Sequence, residues 1–112
     1  NLVLGLNRAA LAEGLTLARM LGLGLAQSLE VLQGSMAYSR IMDTKGAKMI
    51  SADFTPQAKL SHNFKDVRLM LQAAEARGLQ LPLSEAHRAL LERAEAMGCG
   101  ELDNSAIIKA FS

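Results

Sequence analysis

Residues 1–21, NLVLGLNRAALAEGLTLARML, decide the fold. Leu4, Leu11 and Leu15 form one stripe at helical spacing, and Leu6, Leu17 and Leu21 form another. A helix that is apolar on most of its circumference is usually central and buried. Gly5, Ala9 and Ala12 make a third stripe, of small residues, which lets another element approach closely. Asn7, Arg8 and Glu13 interrupt the apolar run, so it does not read as a membrane span. The segment reads instead as the core helix of a domain wrapped around it.

Working outward, glycine punctuates the chain. Gly22, Gly34, Gly78 and Gly98 each follow a helical run, where a left-handed C-terminal cap is expected. Six helices are predicted, at roughly 1–21, 26–33, 39–51, 60–77, 83–97 and 104–111. The fourth is amphipathic. Leu60, Phe64, Val67, Leu71 and Ala74 share one face, and Ser61, Lys65, Arg68 and Gln72 share a neighbouring polar one. Pro82 opens the fifth helix, and Asp103 is placed to cap the sixth through backbone N–H groups. Residues 52–59 (ADFTPQAK) form the longest irregular stretch, fixed partly by Pro56.

Composition supports an all-α domain. The chain has 112 residues, enough for one core and not for two. Half of it is hydrophobic, with three Phe, one Tyr and no Trp. Leu, Ala and Met carry the apolar surface, an alphabet that favours helices, and β-branched residues are scarce. The net charge of +1 gives no global field toward nucleic acid, and neither nucleic acid nor membrane is expected as a partner. The lone Cys99 cannot form an internal disulfide and fits a reducing, cytoplasmic setting. The start at Asn1, with no initiator Met, basic region or cleavage site, reads as a truncation rather than a signal peptide.

The motifs that could carry chemistry mostly have plainer readings. LGLGLAQS, residues 21–28, begins like a dinucleotide fingerprint. Gln27 stands where the third glycine belongs and no strand precedes it, so a helix cap and turn is the better reading. His62 and His87 lie far apart with no metal-ligand spacing around them. Cys99 sits in a turn between two glycines with no evident base. Lys65 and Asp66, with Asn63 nearby, stand out from this background, although such a pair on an amphipathic helix is usually a solvated surface pair.

Taken together and in order, several segments resemble a known family. They are the opening NLVLGLNRAALAEGLTLAR, the FTP of 54–56, the FKDVRLMLQAA of 64–74, the LPL of 81–83 and the closing LDNSAII of 102–108. The chain resembles the C-terminal domain of the β-hydroxyacid dehydrogenases, the group of 3-hydroxyisobutyrate dehydrogenase. The expected architecture is all-α, about six helices around a central buried N-terminal helix, like the C-terminal domain of 6-phosphogluconate dehydrogenase.

The resemblance implies a domain, residues 1–112, whose partner is a Rossmann domain of the same protein. That partner would bind most of the NAD or NADP. The implied reaction is hydride transfer between the nicotinamide and a small β-hydroxy acid or semialdehyde. A general acid/base Lys would lie four positions before Asn1 on the same helix face. Asn1 would hydrogen-bond the substrate or orient that Lys. Lys65 would lie near nicotinamide and substrate, binding both, and Asp66 would orient its neighbours in the pocket. Many relatives have Phe where this chain has Ala58, so a substrate bulkier than glyoxylate is expected. A homo-oligomer is expected too, because an apolar opening helix leaves surface to cover. The rival reading is a helical interaction module.

Overall fold

A computed structural model describes residues 1–111. Five α-helices and one 3₁₀ helix follow in order: α1 (Leu2–Met20), α2 (Leu25–Gln33), α3 (Ile41–Ser51), α4 (Leu60–Glu75), α5 (Pro82–Ala96) and the 3₁₀ helix Asn104–Phe111. No strand occurs among the described residues; one isolated antiparallel bridge joins Lys59 and Asp103.

Helix α1 is the hub, touching each of the other five elements. Its Leu11, Ala12 and Leu15 are buried against Leu60 and Val67 of α4, Leu91 and Ala94 of α5, and Ile107 of the 3₁₀ helix, all in one cluster. The small stripe behaves as the sequence implies. A Cβ at Gly5 would lie 2.8 Å from Cε1 of His87, so α5 packs its histidine into the space glycine leaves. Burial of α1 is one-sided, however. Leu17 is 60% exposed and Leu21 65% exposed, so the second leucine stripe turns outward after the half-buried Leu6, and Leu4 of the first stripe is exposed too. With Leu23, Val31 and Leu32, Leu17 and Leu21 line an apolar groove between α1 and α2.

Gly22, Gly78 and Gly98 adopt the left-handed conformation expected of caps. Gly34 does not: its φ is −93° and α2 ends without a left-handed residue. The left-handed cap of α3 is Ala52, with φ 58°. The sixth helix is 3₁₀ rather than α, with six of its eight residues buried.

Asp103 does more than cap that helix. Its carboxylate is fully buried and accepts the backbone N–H of Ser105 at 3.0 Å, and the Ser105 hydroxyl as well. It also accepts the N–H groups of Gln57 at 2.9 Å and Ala58 at 3.2 Å, and Lys45 Nζ from α3 at 2.9 Å. The N–H of Asp103 donates to Phe54 O, and that of Asn104 to Ala58 O. Asp103 thus ties the irregular stretch 52–59 at Phe54, Gln57 and Ala58.

Candidate functional site

Three elements meet in a cleft of about 250 Å³ beside the start of α1. Helix α1 contributes Asn1, Leu4 and Arg8, spaced i, i+3 and i+7, so they share one face. Helix α4 contributes His62 and Asp66, one turn apart at i and i+4, together with Asn63, three before Asp66, and Lys59 just before the helix. Ala58 and Asn104 close the cleft from the two segments tied together at Asp103.

Its outer end is wet and its inner end is dry. Asn1, His62 and Asp66 are exposed. The carbonyl of Asn1 accepts the N–H of Gly5 at 2.9 Å, but the Asn1 side chain makes no capping bond, which leaves its amide available. Lys59 is engaged away from the cleft, in an ion pair with Glu101 at 2.7 Å. At the inner end, Arg8 and Asn104 are each only 5% exposed. Arg8 Nε, Asn63 Nδ2 and Asn104 Oδ1 are buried without a hydrogen-bond partner.

The electrostatics follow from burial. Burial pushes the Arg8 guanidinium below its ordinary pKa, and the nearby Asp103 carboxylate partly opposes this. Burial would push Asp103 up, yet hydrogen bonds from Ser105, Lys45 and Gln57 win and hold it well below the usual carboxylate range. His87 lies behind α1, 3% exposed. Burial, and then repulsion from Arg8, push it down to about 4, so it is neutral at pH 7.

The structure brings Asn1 and Asp66 to one cleft. It does not bring Lys65 there. Lys65 is exposed and lies about 100° around α4 from Asp66, on the polar side shared with Arg68 and Gln72. Within this chain, the α4 carboxylate that shares the cleft with Asn1 is that of Asp66. A side chain exposed beside the cleft mouth can meet only what binds over it.

Arg8 and Asn104 were missed as site residues by the sequence reading. Arg8 had a signal, a lone charge one helical face below Asn1 in an otherwise apolar run. Asn104 had none. His87 is a buried histidine packed against Gly5 of α1, and Cys99 is a buried free thiol. The LGLGLAQS turn joins two helices, with Gly24 at the start of α2. Among the described residues no group of three His, Cys, Asp or Glu could hold a metal, and no helix is long and apolar enough to cross a membrane.

Comparison with known proteins gives concordant matches. A family model described as the NAD-binding part of NADP-dependent 3-hydroxyisobutyrate dehydrogenase matches residues 1–111. The chain is 34% identical over 110 residues to 2-hydroxy-3-oxopropionate reductase of Escherichia coli (strain K12), covering 98% of this chain and 38% of that protein. It is 38% identical over 111 residues to the cytokine-like nuclear factor N-PAC of Aedes aegypti, covering 96% of this chain and 20% of that one. A crystal structure of 3-hydroxyisobutyrate dehydrogenase from Salmonella typhimurium superposes with a TM-score of 0.93 at 29% identity. That match covers 96% of this chain and 38% of the other.

Proposed function

The chain belongs to the 3-hydroxyisobutyrate dehydrogenase family, and from that premise we propose that it is the substrate-side, C-terminal domain of an NAD(P)-dependent oxidoreductase. The reaction would move a hydride between a nicotinamide and a small β-hydroxy acid or semialdehyde. One observation carries the reading: an uncapped Asn1 amide and the Asp66 carboxylate line the open end of a cleft whose inner end is cationic. Such a cleft suits a polar, anionic substrate.

The chain's own residues fit one end of a nicotinamide cofactor and not the whole of it. The LGLGLAQS turn lacks the strand and the third glycine that a pyrophosphate cradle needs. Lys65 offers an exposed ammonium beside the cleft mouth, suited to an amide or phosphate oxygen. When bound, the nicotinamide supplies the hydride acceptor or donor. Asn1 would hold the substrate's oxygen by its side-chain amide. A Lys one turn before Asn1 would share its helix face, taking the hydroxyl proton as hydride leaves the carbinol carbon. Asp66 would fix the orientation of groups at the mouth, and Lys65 would oppose negative charge there.

The test is turnover in a polypeptide that joins this chain to a cofactor-binding domain, followed by reduced-nicotinamide absorbance. Lys65→Ala and Asn1→Ala are each expected to lower kcat/KM by about 10²-fold. The 112-residue chain alone is expected to be inactive. Full activity in Lys65→Ala, or hydride transfer by the isolated chain, would defeat the reading. Turnover of branched hydroxy acids is expected to exceed that of glyoxylate, because Ala58 places no ring in the cleft wall.

The match to N-PAC favours a second reading, an interaction module, because that relative is named as a nuclear factor and not as a dehydrogenase. Absence of turnover in the joined polypeptide, with folding intact, would favour it.

A further inference from the structure

The cationic inner end of the cleft has a counter-charge problem within this chain. Arg8 is 5% exposed, its Nε is buried without a hydrogen-bond partner, and a guanidinium keeps its charge at neutral pH. A buried charge is normally paired, because desolvation costs several kcal/mol. Asp103, the carboxylate whose charge acts on Arg8, is already occupied by Lys45, Ser105 and the backbone N–H groups of Gln57 and Ala58. Asp66 stands exposed at the rim, where water screens it, and no ion pair joins it to Arg8.

Two further donor or acceptor atoms share the predicament. Asn63 Nδ2 is a buried donor without an acceptor, and Asn104 Oδ1 a buried acceptor without a donor. All three residues line one cleft. A guanidinium and a carboxamide N–H together suit a carboxylate, whose two oxygens accept both. Asn104 Oδ1 suits a hydroxyl or water beside it. Arg8 lies seven residues after Asn1 on the same helix face, about 10 Å along the axis. A ligand held at Asn1 by one end therefore reaches Arg8 only with a chain of several bonds between its ends, and Ala58 leaves room for that chain.

We infer that Arg8 and Asn63 bind a second carboxylate of the substrate, so that the substrate is a hydroxy acid with two acid groups. This rests on the hydride-transfer reading for the reacting end only; binding at Arg8 is independent of turnover. A phosphate group has similar chemistry and is the competing source of an anion.

The experiment is a titration of the 112-residue chain, watching the Arg8 Nε–H resonance by NMR. The probes are glutarate, butyrate and inorganic phosphate at neutral pH. Glutarate is expected to shift that resonance and to bind at least about tenfold tighter than butyrate. Arg8→Met is expected to erase the preference, and Arg8→Lys to keep part of it. Thermal melting of Arg8→Met is expected at the same temperature or higher, since an unpaired buried charge is removed. Equal binding of glutarate and butyrate, no shift of the resonance with any probe, or a preference that survives in Arg8→Met would overturn the inference. Phosphate binding tighter than glutarate through Arg8 would overturn it also, in favour of a phosphate site. If the glutarate preference holds while the joined polypeptide fails to turn over hydroxy acids, the reaction reading falls and the acid-group site stands.

Discussion

At the scale of single residues, buried titratable groups set the response to pH and mutation. His87 has its pKa lowered from 6.5 to about 4 in the fold. The unfolded chain therefore binds a proton that the folded chain refuses. Stability from neutral His87 is complete above about pH 6.5 and is lost as pH falls toward 4, worth up to about 3 kcal/mol. Thermal melting across that window should show the drop, and His87→Leu should flatten it. Asp103 acts in a different window: its folded pKa is depressed, so its contribution is present above about pH 4 and lost in stronger acid. Breaking its pairing is expected to be costly. Lys45→Met leaves a buried carboxylate without its cation and should cost about 3–5 kcal/mol by chemical denaturation. Asp103→Asn keeps an acceptor for the Gln57 and Ala58 N–H groups and should cost less than Asp103→Leu, which strands them. The sequence shows Asp103 as a helix cap, but its pairing with Lys45 could not be read there, because the two lie 58 residues apart.

At the scale of elements, the helices were legible where local signals repeat and illegible where they do not. Helix α4 was read from its five-residue apolar stripe, and Leu60, Phe64, Val67 and Ala74 are buried as that stripe requires. The cap of α3 was not legible, since Ala52 adopts a conformation that sequence statistics reserve for Gly and Asn. The sequence does not separate 3₁₀ from α at 104–111, because over eight residues the two periods differ by only about half a turn, and burial on nearly all sides blurs the face. Gly46 was passed over as well. It lies inside α3, where a Cβ would come 2.6 Å from Leu29 Cδ2, so it sets the approach of α2 to α3. Gly46→Ala gains helix propensity but must push the leucine aside. A net loss of about 1 kcal/mol is expected by thermal melting, and Leu29→Ala in that background should recover less than it removes from the core. Of the site, Asn1 and Asp66 were found by resemblance and share a cleft, whereas Arg8 and Asn104 matter through burial, which no single sequence displays.

At the scale of the molecule, the outward leucines of α1 meet those after it to leave an apolar groove lined by Leu17, Leu21, Leu23, Val31 and Leu32. Self-association through this face is expected, with light scattering showing mass that rises with concentration. Leu17→Glu with Val31→Glu should return a concentration-independent monomer without lowering the melting temperature, since both side chains are exposed. The cleft lies elsewhere, at the start of α1. Its wall has an uneven tolerance to change. Asp103 grips position 58 solely by the main chain, and Asn104 is clasped to the same backbone. Side chains at 58 can therefore be swapped like bits in a fixed chuck, reshaping the cleft wall by single steps without renegotiating how the domain folds.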